Sequence, residues 1–183
     1  MAAPSLPTKG SRKLAGPTDN FTMRPPLAPT KSQVNKAGKL IRKGLLREES
    51  VAWDDLVRAM GVLERHRADH QYPLAKATMG LRSVVKTEGC IVEVSQRLKR
   101  TPTILDKIVR EPTMSLANMQ DVAGCRAVLE DIDERRRVEK RLRKNRPPIQ
   151  VYDYVETPRS SGYRGGHVIV QYDQRKVEVQ LRT

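Results

Sequence analysis

The sequence predicts an α/β protein of the α+β type, in which a mixed β-sheet of about four or five strands is flanked by helices. Two patterns predict this fold class. In the first half of the chain, apolar residues recur at helical spacing, as in Trp53, Leu56, Met60 and Leu63. In the second half, short runs that are apolar throughout or alternate with polar residues indicate strands. A length of 183 residues suits one buried core with a tail.

Residues 1–30 are predicted to be a disordered basic tail, because they contain six of the twelve prolines and lack apolar periodicity. Up to Gly44, nine lysine and arginine residues accompany a single acidic residue, Asp19. Two interpretations of this segment stay open. It is either a solubilising or transit-like segment, or an electrostatic arm that contacts RNA or a protein partner.

Residues 31–89 are predicted to form N-terminal helices. A short basic helix is expected over residues 32–42, and an amphipathic helix follows from Val51 onward. Pro73 restarts the chain, and a third helical repeat continues to Gly89.

Residues 90–183 are predicted to form the core that carries the chemistry. A helix begins at Thr101-Pro102, because proline is tolerated in the first turn, and a very basic helix stops before Pro147-Pro148. A tight turn is expected at Asp173-Gln174. The predicted elements are a strand or extended segment at 91–99, helices at 101–110 and 131–144, and strands at 123–129, 149–155, 167–172 and 176–181.

Charge is the most informative bulk property, since 35 Lys+Arg against 21 Asp+Glu gives a net charge of +14. This excess favours a polyanionic partner, such as nucleotide phosphates, RNA or an acidic protein. Cys90 and Cys125 form no CxxC motif and have no histidine at ligand spacing, so neither a disulfide framework nor a zinc site is indicated. Two free thiols and the lack of a membrane-length apolar stretch favour a cytoplasmic protein with no membrane partner.

A glycine-rich loop and the last strand together indicate a nucleotide site. Three glycines around Tyr163 let the backbone approach a ligand, and the tyrosine ring either stacks on a nucleobase or folds back onto the core. His167 has either a structural role or a contact to phosphate or ribose. Glu178 and Gln180 share the polar face of the last strand, which lines solvent or a cleft. The nearby tyrosine favours the cleft.

Basic residues between positions 97 and 107 form a second group. Several fixed cations are needed to hold a triphosphate, although a solvated basic surface is the alternative explanation. Asp121 stands just before a predicted buried strand. Its carboxylate either caps a turn or holds Mg²⁺.

Taken in chain order, the basic residues between 97 and 107, Asp121, the glycine-rich loop and the last strand resemble the synthetase domain of the RelA/SpoT family. Enzymes of this family move pyrophosphate from ATP to a 3′-hydroxyl. The resemblance covers roughly residues 90–183 and implies a nucleotidyltransferase-like fold for them. No P-loop motif and no histidine-aspartate hydrolase signature is present, so the likeness is to the small synthetase-only members. The matching pattern is Arg97-x-Lys99 followed by Lys107, then Asp121-Val-Ala-Gly-Cys-Arg126, Asp153-Tyr154, Gly162-Tyr163-Arg164-x-x-His167 and Glu178-Val-Gln180-Leu-Arg182-Thr183.

The resemblance implies a role for each matched position. Asp121 would coordinate Mg²⁺, and Glu178 would be a second metal ligand or the base that takes the 3′-hydroxyl proton. Tyr163 would stack on the acceptor base. The remaining positions would bind the substrates: Arg97, Lys99, Lys107 and Arg126 on the ATP side, and His167, Gln180 and Arg159 on the acceptor side.

The chain also departs from the family pattern. Arg159 replaces the usual lysine, and Tyr152 stands where many alarmone synthetases have a charged residue. The Gly165-Gly166 pair replaces a serine and a bulky apolar residue, which predicts a looser loop. Related domains continue into further helices after the position of Thr183, so the C-terminal helices of the family are expected to be absent here.

The family divides by acceptor. Some members use GDP or GTP and make (p)ppGpp, whereas toxin members modify the 3′ CCA end of tRNA and are neutralised by an antitoxin protein. The basic tail and the basic helix favour the tRNA toxin, although the same charges also fit plain solubility or an acidic antitoxin. The helix residues in question are Arg135, Arg136, Arg137, Lys140, Arg141, Arg143 and Lys144.

A hypothesis of another class is an RNA-binding module that no longer turns over substrate. The presence of Asp121, Tyr163 and Glu178 together argues against it, because a decayed site would be expected to lose at least one of them.

Overall fold

The computed structural model describes residues 28–47, 50–158, 160 and 162–183. Most of the predicted tail at residues 1–30, together with Arg159, therefore lies outside the described residues. The predicted boundaries at 30/31 and 89/90 stay predictions. The last helix before the second boundary and the first strand after it nevertheless share one hydrophobic cluster, which contains Leu81 and Val94.

The described residues form an α+β fold, as predicted, with helices first and most strands later in the chain. The helices are α1 (Lys31–Leu46), α2 (Trp53–Ala68), α3 (Gln71–Thr87), α4 (Thr101–Arg110) and α5 (Ile132–Asn145), with a short 3-10 turn at Leu116–Asn118. The strands are β1 (Val94–Leu98), β2 (Ala123–Val128), β3 (Gln150–Asp153), β4 (Gly166–Tyr172) and β5 (Arg175–Arg182).

The helix boundaries follow local sequence signals. Thr30 and Gln33 form a capping box at the start of α1, in which each side chain accepts a hydrogen bond from the other residue's backbone N–H, at 3.2 and 2.9 Å. Asp131 caps α5 by accepting a 2.7 Å hydrogen bond from the Glu134 backbone. The third helix begins at Gln71, two residues before Pro73, because proline fits the first turn.

The five strands form one mixed sheet in the order β1-β2-β5-β4-β3. The β2–β5 pair is parallel, and the other three neighbouring pairs are antiparallel. Strands β4 and β5 are joined by a two-residue turn at Asp173 and Gln174, both of which have positive φ (45° and 63°). Such a turn matches the twist of a β-hairpin, so the predicted tight turn is confirmed.

Hydrophobic packing divides the helices into two groups. Helices α3 and α5 cover one face of the sheet, where residues such as Leu81, Val138 and Val179 are fully buried. Helices α1, α2 and α4 pack with the 3-10 turn into a second cluster that includes Leu63 and Ile104. The other sheet face carries the polar side chains of β4 and β5. None of the helices in the described residues is both long and apolar enough to span a bilayer.

Candidate active site

Polar side chains from three neighbouring strands share one face of the sheet. Gln180 on β5 lies opposite Arg126 of β2 and opposite His167 of β4, and Glu178 lies opposite Gly124. Because directly paired residues project to the same side of a sheet, these side chains meet on the face away from α3 and α5. The glycine opposite Glu178 leaves this part of the face open.

The polar face forms a cleft with two lobes. The β1–β2 lobe has a volume of about 300 Å³, and the residues that line only this lobe include Ser95, Arg97 and Arg126. The β3–β4 lobe has a volume of about 660 Å³, and the residues that line only this lobe include Lys107, Arg110, Tyr152, Tyr154, Tyr163 and His167. Both lobes share Lys99, Asp121, Glu178, Gln180 and Arg182. The two carboxylates therefore stand where the lobes meet.

Asp121 is held between two lysines. Lys99 Nζ donates to Oδ2 at 2.8 Å, and Lys107 Nζ donates to Oδ1 at 3.0 Å. Burial acts to raise the pKa of Asp121, but the hydrogen bonds and charges of the two lysines outweigh it and leave the pKa below its ordinary value. The carboxylate is therefore ionised at neutral pH, in reach of cations on both sides.

Glu178 is oriented through both of its oxygens. His167 Nδ1 lies 2.7 Å from Oε1, and Gln180 Nε2 donates to Oε2 at 2.7 Å. Burial and the charge of Asp121 act to raise the pKa of Glu178, but the contacts with His167 and Gln180 hold it below its ordinary value. Glu178 is therefore an ionised carboxylate with a fixed direction.

Tyr163 is linked to Glu178 through His167. The Tyr163 hydroxyl lies 2.7 Å from His167 Nε2, while the other ring nitrogen faces the carboxylate. An ionised carboxylate can only accept, so Nδ1 carries the proton, and in the neutral imidazole Nε2 accepts from the tyrosine hydroxyl. Tyr163 is half-buried and lines the β3–β4 lobe, with the Arg182 guanidinium 4.9 Å from its ring centroid.

Two more tyrosines extend the aromatic surface of the β3–β4 lobe. The rings of Tyr152 and Tyr154 stack with centroids 5.9 Å apart and planes inclined by 4°. Tyr154 also meets the edge of His167, at 5.1 Å. The Tyr152 hydroxyl donates to Gln120 at 3.1 Å, which fixes the outer ring. We refer to Tyr152, Tyr154 and Tyr163 as the tyrosine wall.

Gly165 and Gly166 are tightly packed, so the prediction of a looser loop is wrong for these two residues. Both are buried. A Cβ on Gly165 would lie 2.7 Å from the Tyr163 hydroxyl, and a Cβ on Gly166 would lie 2.4 Å from Arg135 Nη1. Because a real Cβ essentially never makes such contacts, the two glycines make room for the tyrosine on one side and the arginine on the other.

The structure brings together nearly all of the predicted site residues. Arg97 and Arg126 line the β1–β2 lobe, Lys107 lines the β3–β4 lobe, and Lys99 lines both. Arg159 lies outside the described residues. Within the described part of the chain, no group of three or more His, Cys, Asp or Glu side chains is placed to hold a metal ion by itself. The predicted roles of these residues remain proposals.

Arg135 does not lie on a basic surface of α5, so that prediction is wrong. Arg135 is 2% exposed, and its Nη2 donates to Asp153 Oδ2 at 2.6 Å. The other oxygen of Asp153 accepts from the backbone of Val155 at 2.9 Å, so the pair fixes the turn that follows β3. Arg135 precedes Val138 and Leu142 at spacings of three and seven, which places it on the buried stripe of α5. That spacing is the signal that could have revealed it.

The basic surface of α5 is also weaker than predicted. Arg141 is paired with Glu88, and Arg143 lies 3.4 Å from Glu139. Helix α5 packs on the sheet face opposite the cleft, as the burial of Val138 in the α3 cluster shows. The charges of α5 therefore do not line the candidate active site.

Residues 96–183 match the family model described as a region found in RelA / SpoT proteins. The match covers just under half of the chain. The chain is also similar to the GTP pyrophosphokinase YjbM of Bacillus subtilis strain 168, with 32% identity over 102 residues. That alignment covers 49% of this chain and 48% of the relative, so the chain spans about half the length of the curated relative it matches.

Two solved structures of similar proteins share the fold. A GTP pyrophosphokinase family protein from Streptococcus pneumoniae is 26% identical, with a TM-score of 0.59 over 66% of this chain and 69% of that one. Small alarmone synthetase 1 from Bacillus subtilis, solved with its product pppGpp, is 25% identical, with a TM-score of 0.57 over 66% of this chain and 72% of that one. About two thirds of this chain therefore shares its fold with a small alarmone synthetase.

Proposed function

We propose that the protein transfers pyrophosphate from ATP to the ribose 3′-hydroxyl of a second nucleotide. The observation that carries this proposal is the position of Asp121 and Glu178, which line both lobes of one cleft. In the reaction, the 3′ oxygen forms a bond to the β-phosphorus of ATP, and the bond from that phosphorus to the α–β bridging oxygen breaks. AMP leaves with the bridging oxygen, and the hydroxyl proton passes to a base.

ATP is assigned to the β1–β2 lobe. Arg97 and Arg126 line it from adjacent strands, and Lys99 stands at its junction with the other lobe. A triphosphate carries about four negative charges, which convergent cations can offset, and a guanidinium can also stack on adenine. Lys107 completes this set from α4, through its ion pair with Asp121.

Asp121 and Glu178 fit a magnesium site in which phosphate oxygens of the substrate supply part of the metal ligands. Mg²⁺ is usually held by one or two carboxylates, with phosphate oxygens and water as the other ligands, so the two side chains at the junction are a sufficient protein contribution. Bound there, Mg²⁺ would offset charge on the phosphates of ATP. Lys99 and Lys107 keep Asp121 ionised, which is the form that binds a metal.

Glu178 is the proposed base for the acceptor hydroxyl. Its two oxygens are fixed by His167 and Gln180, and each keeps a second lone pair for a further contact. Holding a carboxylate in one direction matters because proton transfer needs a heavy-atom distance of about 2.6–3.2 Å. His167 and Gln180 thus act as positioning residues for Glu178.

The 3′ CCA end of tRNA is the acceptor that the β3–β4 lobe favours. The tyrosine wall offers several ring surfaces, and stacked bases of a single strand are held in this way, at about 1–3 kcal/mol per base. Tyr152 contributes a ring where many alarmone synthetases have a charge. A tRNA-modifying enzyme would stop translation, so this proposal includes a neutralising antitoxin partner. The basic residues of α5 do not support it, because they lie on the other sheet face.

GDP or GTP is the second candidate acceptor, and (p)ppGpp would then be the product. Two observations favour it. The related proteins named above are GTP pyrophosphokinases and a synthetase solved with pppGpp. Arg110 lines the β3–β4 lobe, where it could meet the 5′-phosphates of a nucleotide.

The acceptor is tested by incubating the full chain with Mg²⁺, ATP labelled on the γ-phosphate, and either deacylated tRNA or GDP and GTP. Label on tRNA is expected. Label on the guanosine nucleotides alone would reject the tRNA acceptor in favour of the second candidate. Label on neither would reject the enzyme and leave an RNA-binding module. Glu178→Gln and Asp121→Asn should each lower the rate at least about 100-fold, whereas the exposed Glu130→Gln should match the wild type.

A further inference from the structure

A second cavity lies on the same sheet face as the cleft, at the opposite ends of β4 and β5. Its volume is about 530 Å³, and it lies between the start of α1, the end of α2 and the β4–β5 turn. Met119 lines both this cavity and the β3–β4 lobe. The polar lining includes Lys31, His66, His70, Gln171, Arg175 and Lys176.

His66 is the unusual member of this lining. Its side chain is buried, with 3% of the residue exposed, and neither ring nitrogen has a hydrogen-bond partner. A buried polar group without a partner destabilises a protein by about 1–3 kcal/mol. His70 meets the edge of the His66 ring at 4.7 Å, but its own Nδ1 lies 2.7 Å from the His66 carbonyl oxygen. His66 therefore lines the cavity with two ring nitrogens that lack partners, and because both nitrogens are themselves buried, the ring must turn towards the cavity to reach a ligand.

The formal charges of the cavity lining are all positive. The cavity is lined by Lys31, Arg175 and Lys176, and none of the described residues that line it is an aspartate or a glutamate. Asp69, which pairs with Arg175, is not part of the lining. The cavity also faces the first residues of α1, a helix of 16 residues whose N-terminal end carries partial positive charge. These charges disfavour a metal ion and favour an anion.

We propose that this cavity binds the phosphate group of a small anion, with a ring N–H of His66 donating to a phosphate oxygen and with Lys31 and Lys176 beside it. The inference goes beyond the proposed function, because the cavity contains none of the residues assigned to catalysis. A volume of about 530 Å³ exceeds the needs of a phosphate alone. It falls in the range of about 300–1,000 Å³ typical of small-molecule sites, so the phosphate can be free or part of a nucleotide.

The titration of His66 should respond to a bound phosphate. Burial, together with the charges of His70 and Arg175, lowers the pKa of His66 to about 4, while Asp69 acts in the opposite direction. Lys31 and Lys176 also line the cavity. A bound phosphate would favour the protonated ring and raise the pKa of His66.

The test is histidine-detected NMR on the full chain, which contains three histidines. Inorganic phosphate, pyrophosphate and AMP are titrated separately at pH 6. We expect saturable shifts of the His66 and His70 ring signals and a higher pKa for His66 in the bound state. AMP binding at least about 10-fold more tightly than phosphate would identify a nucleotide as the source of the phosphate. Equal affinities would identify free phosphate.

Two variants separate specific binding from a general charge effect. Lys176→Gln removes a cation from the cavity lining and should weaken phosphate binding about 5- to 10-fold. Lys144→Gln removes an exposed cation from α5 and should leave the affinity unchanged. No saturable shift at His66, a shift confined to His167 in the catalytic cleft, or equal effects of both variants would each overturn the proposal. The assay uses no acceptor, so its result is independent of the proposed reaction.

Discussion

At the scale of single residues, the site depends on a connected set of hydrogen bonds. Tyr163 contacts His167, His167 contacts Glu178, and Gln180 holds the second oxygen of Glu178. Each group limits the directions available to the next, so the carboxylate is fixed before any substrate binds. Gly165 belongs to the same set, because a side chain there would displace the tyrosine hydroxyl.

Substitution of Tyr163 separates the contribution of its ring from that of its hydroxyl. Tyr163→Ala should raise the KM for the acceptor by about 5- to 100-fold, since it removes a stacking surface worth about 1–3 kcal/mol. Tyr163→Phe keeps the ring, so the KM should stay within about threefold of the wild type while kcat falls through the loss of the His167 contact. If the phenylalanine variant loses as much acceptor affinity as the alanine variant, stacking is not the role of Tyr163.

At the scale of secondary-structure elements, α5 and β3 are joined by one buried ion pair. Arg135 reaches from the helix to Asp153 at the end of β3, and Gly166 leaves the space it needs. Asp153 then holds the turn that leads to Tyr154 and the rest of the loop. The back of the sheet thus supports the tyrosine wall on its front.

Arg135→Gln should destabilise the protein by about 2–4 kcal/mol, because it leaves a partly buried carboxylate without its charged partner. The comparison is Arg136→Gln, one position along the same helix, where the side chain is exposed and the expected change is below about 0.5 kcal/mol. Urea unfolding of both variants measures the difference. Equal stabilities would show that the buried pair contributes little.

At the scale of the whole molecule, the sequence predicted the positions of strands and turns better than the burial of individual polar side chains. The strands and the Asp173-Gln174 turn follow from short-range patterns, and Glu178 follows from alternation along one strand. The burial of His66 depends on long-range packing, which no local pattern reports directly. For Arg135, the spacing with Val138 carried the information, but the high charge of α5 masked it.

The buried histidines should make stability depend on pH. His66 has a pKa of about 4 in the folded protein, against 6.5 for the ordinary residue, and the pKa of His70 is lowered as well. Between these values the unfolded chain binds more protons, so stability rises with pH there and is lost as the pH falls from 6.5 to about 4. The loss attributed to His66 is about 3 kcal/mol.

Urea unfolding at pH 7, 6 and 5, in buffers without phosphate, measures this dependence. His66→Leu should reduce it, because the substitution removes one of the two buried histidines that titrate. A wild-type stability that is constant over this range would contradict the burial of a neutral His66. Asp121 and Glu178 do not interfere, since their lowered pKa values confine their effect to pH below about 4.5.

The central claim is that two carboxylates at the junction of two lobes direct the transfer of pyrophosphate as one unit. The most direct test counts AMP and ADP formed for each γ-labelled group that reaches the acceptor. We expect one AMP for each labelled acceptor, no ADP from the transfer, and loss of both products in Glu178→Gln. Formation of ADP in step with the label, or full activity without the Glu178 carboxylate, would contradict it.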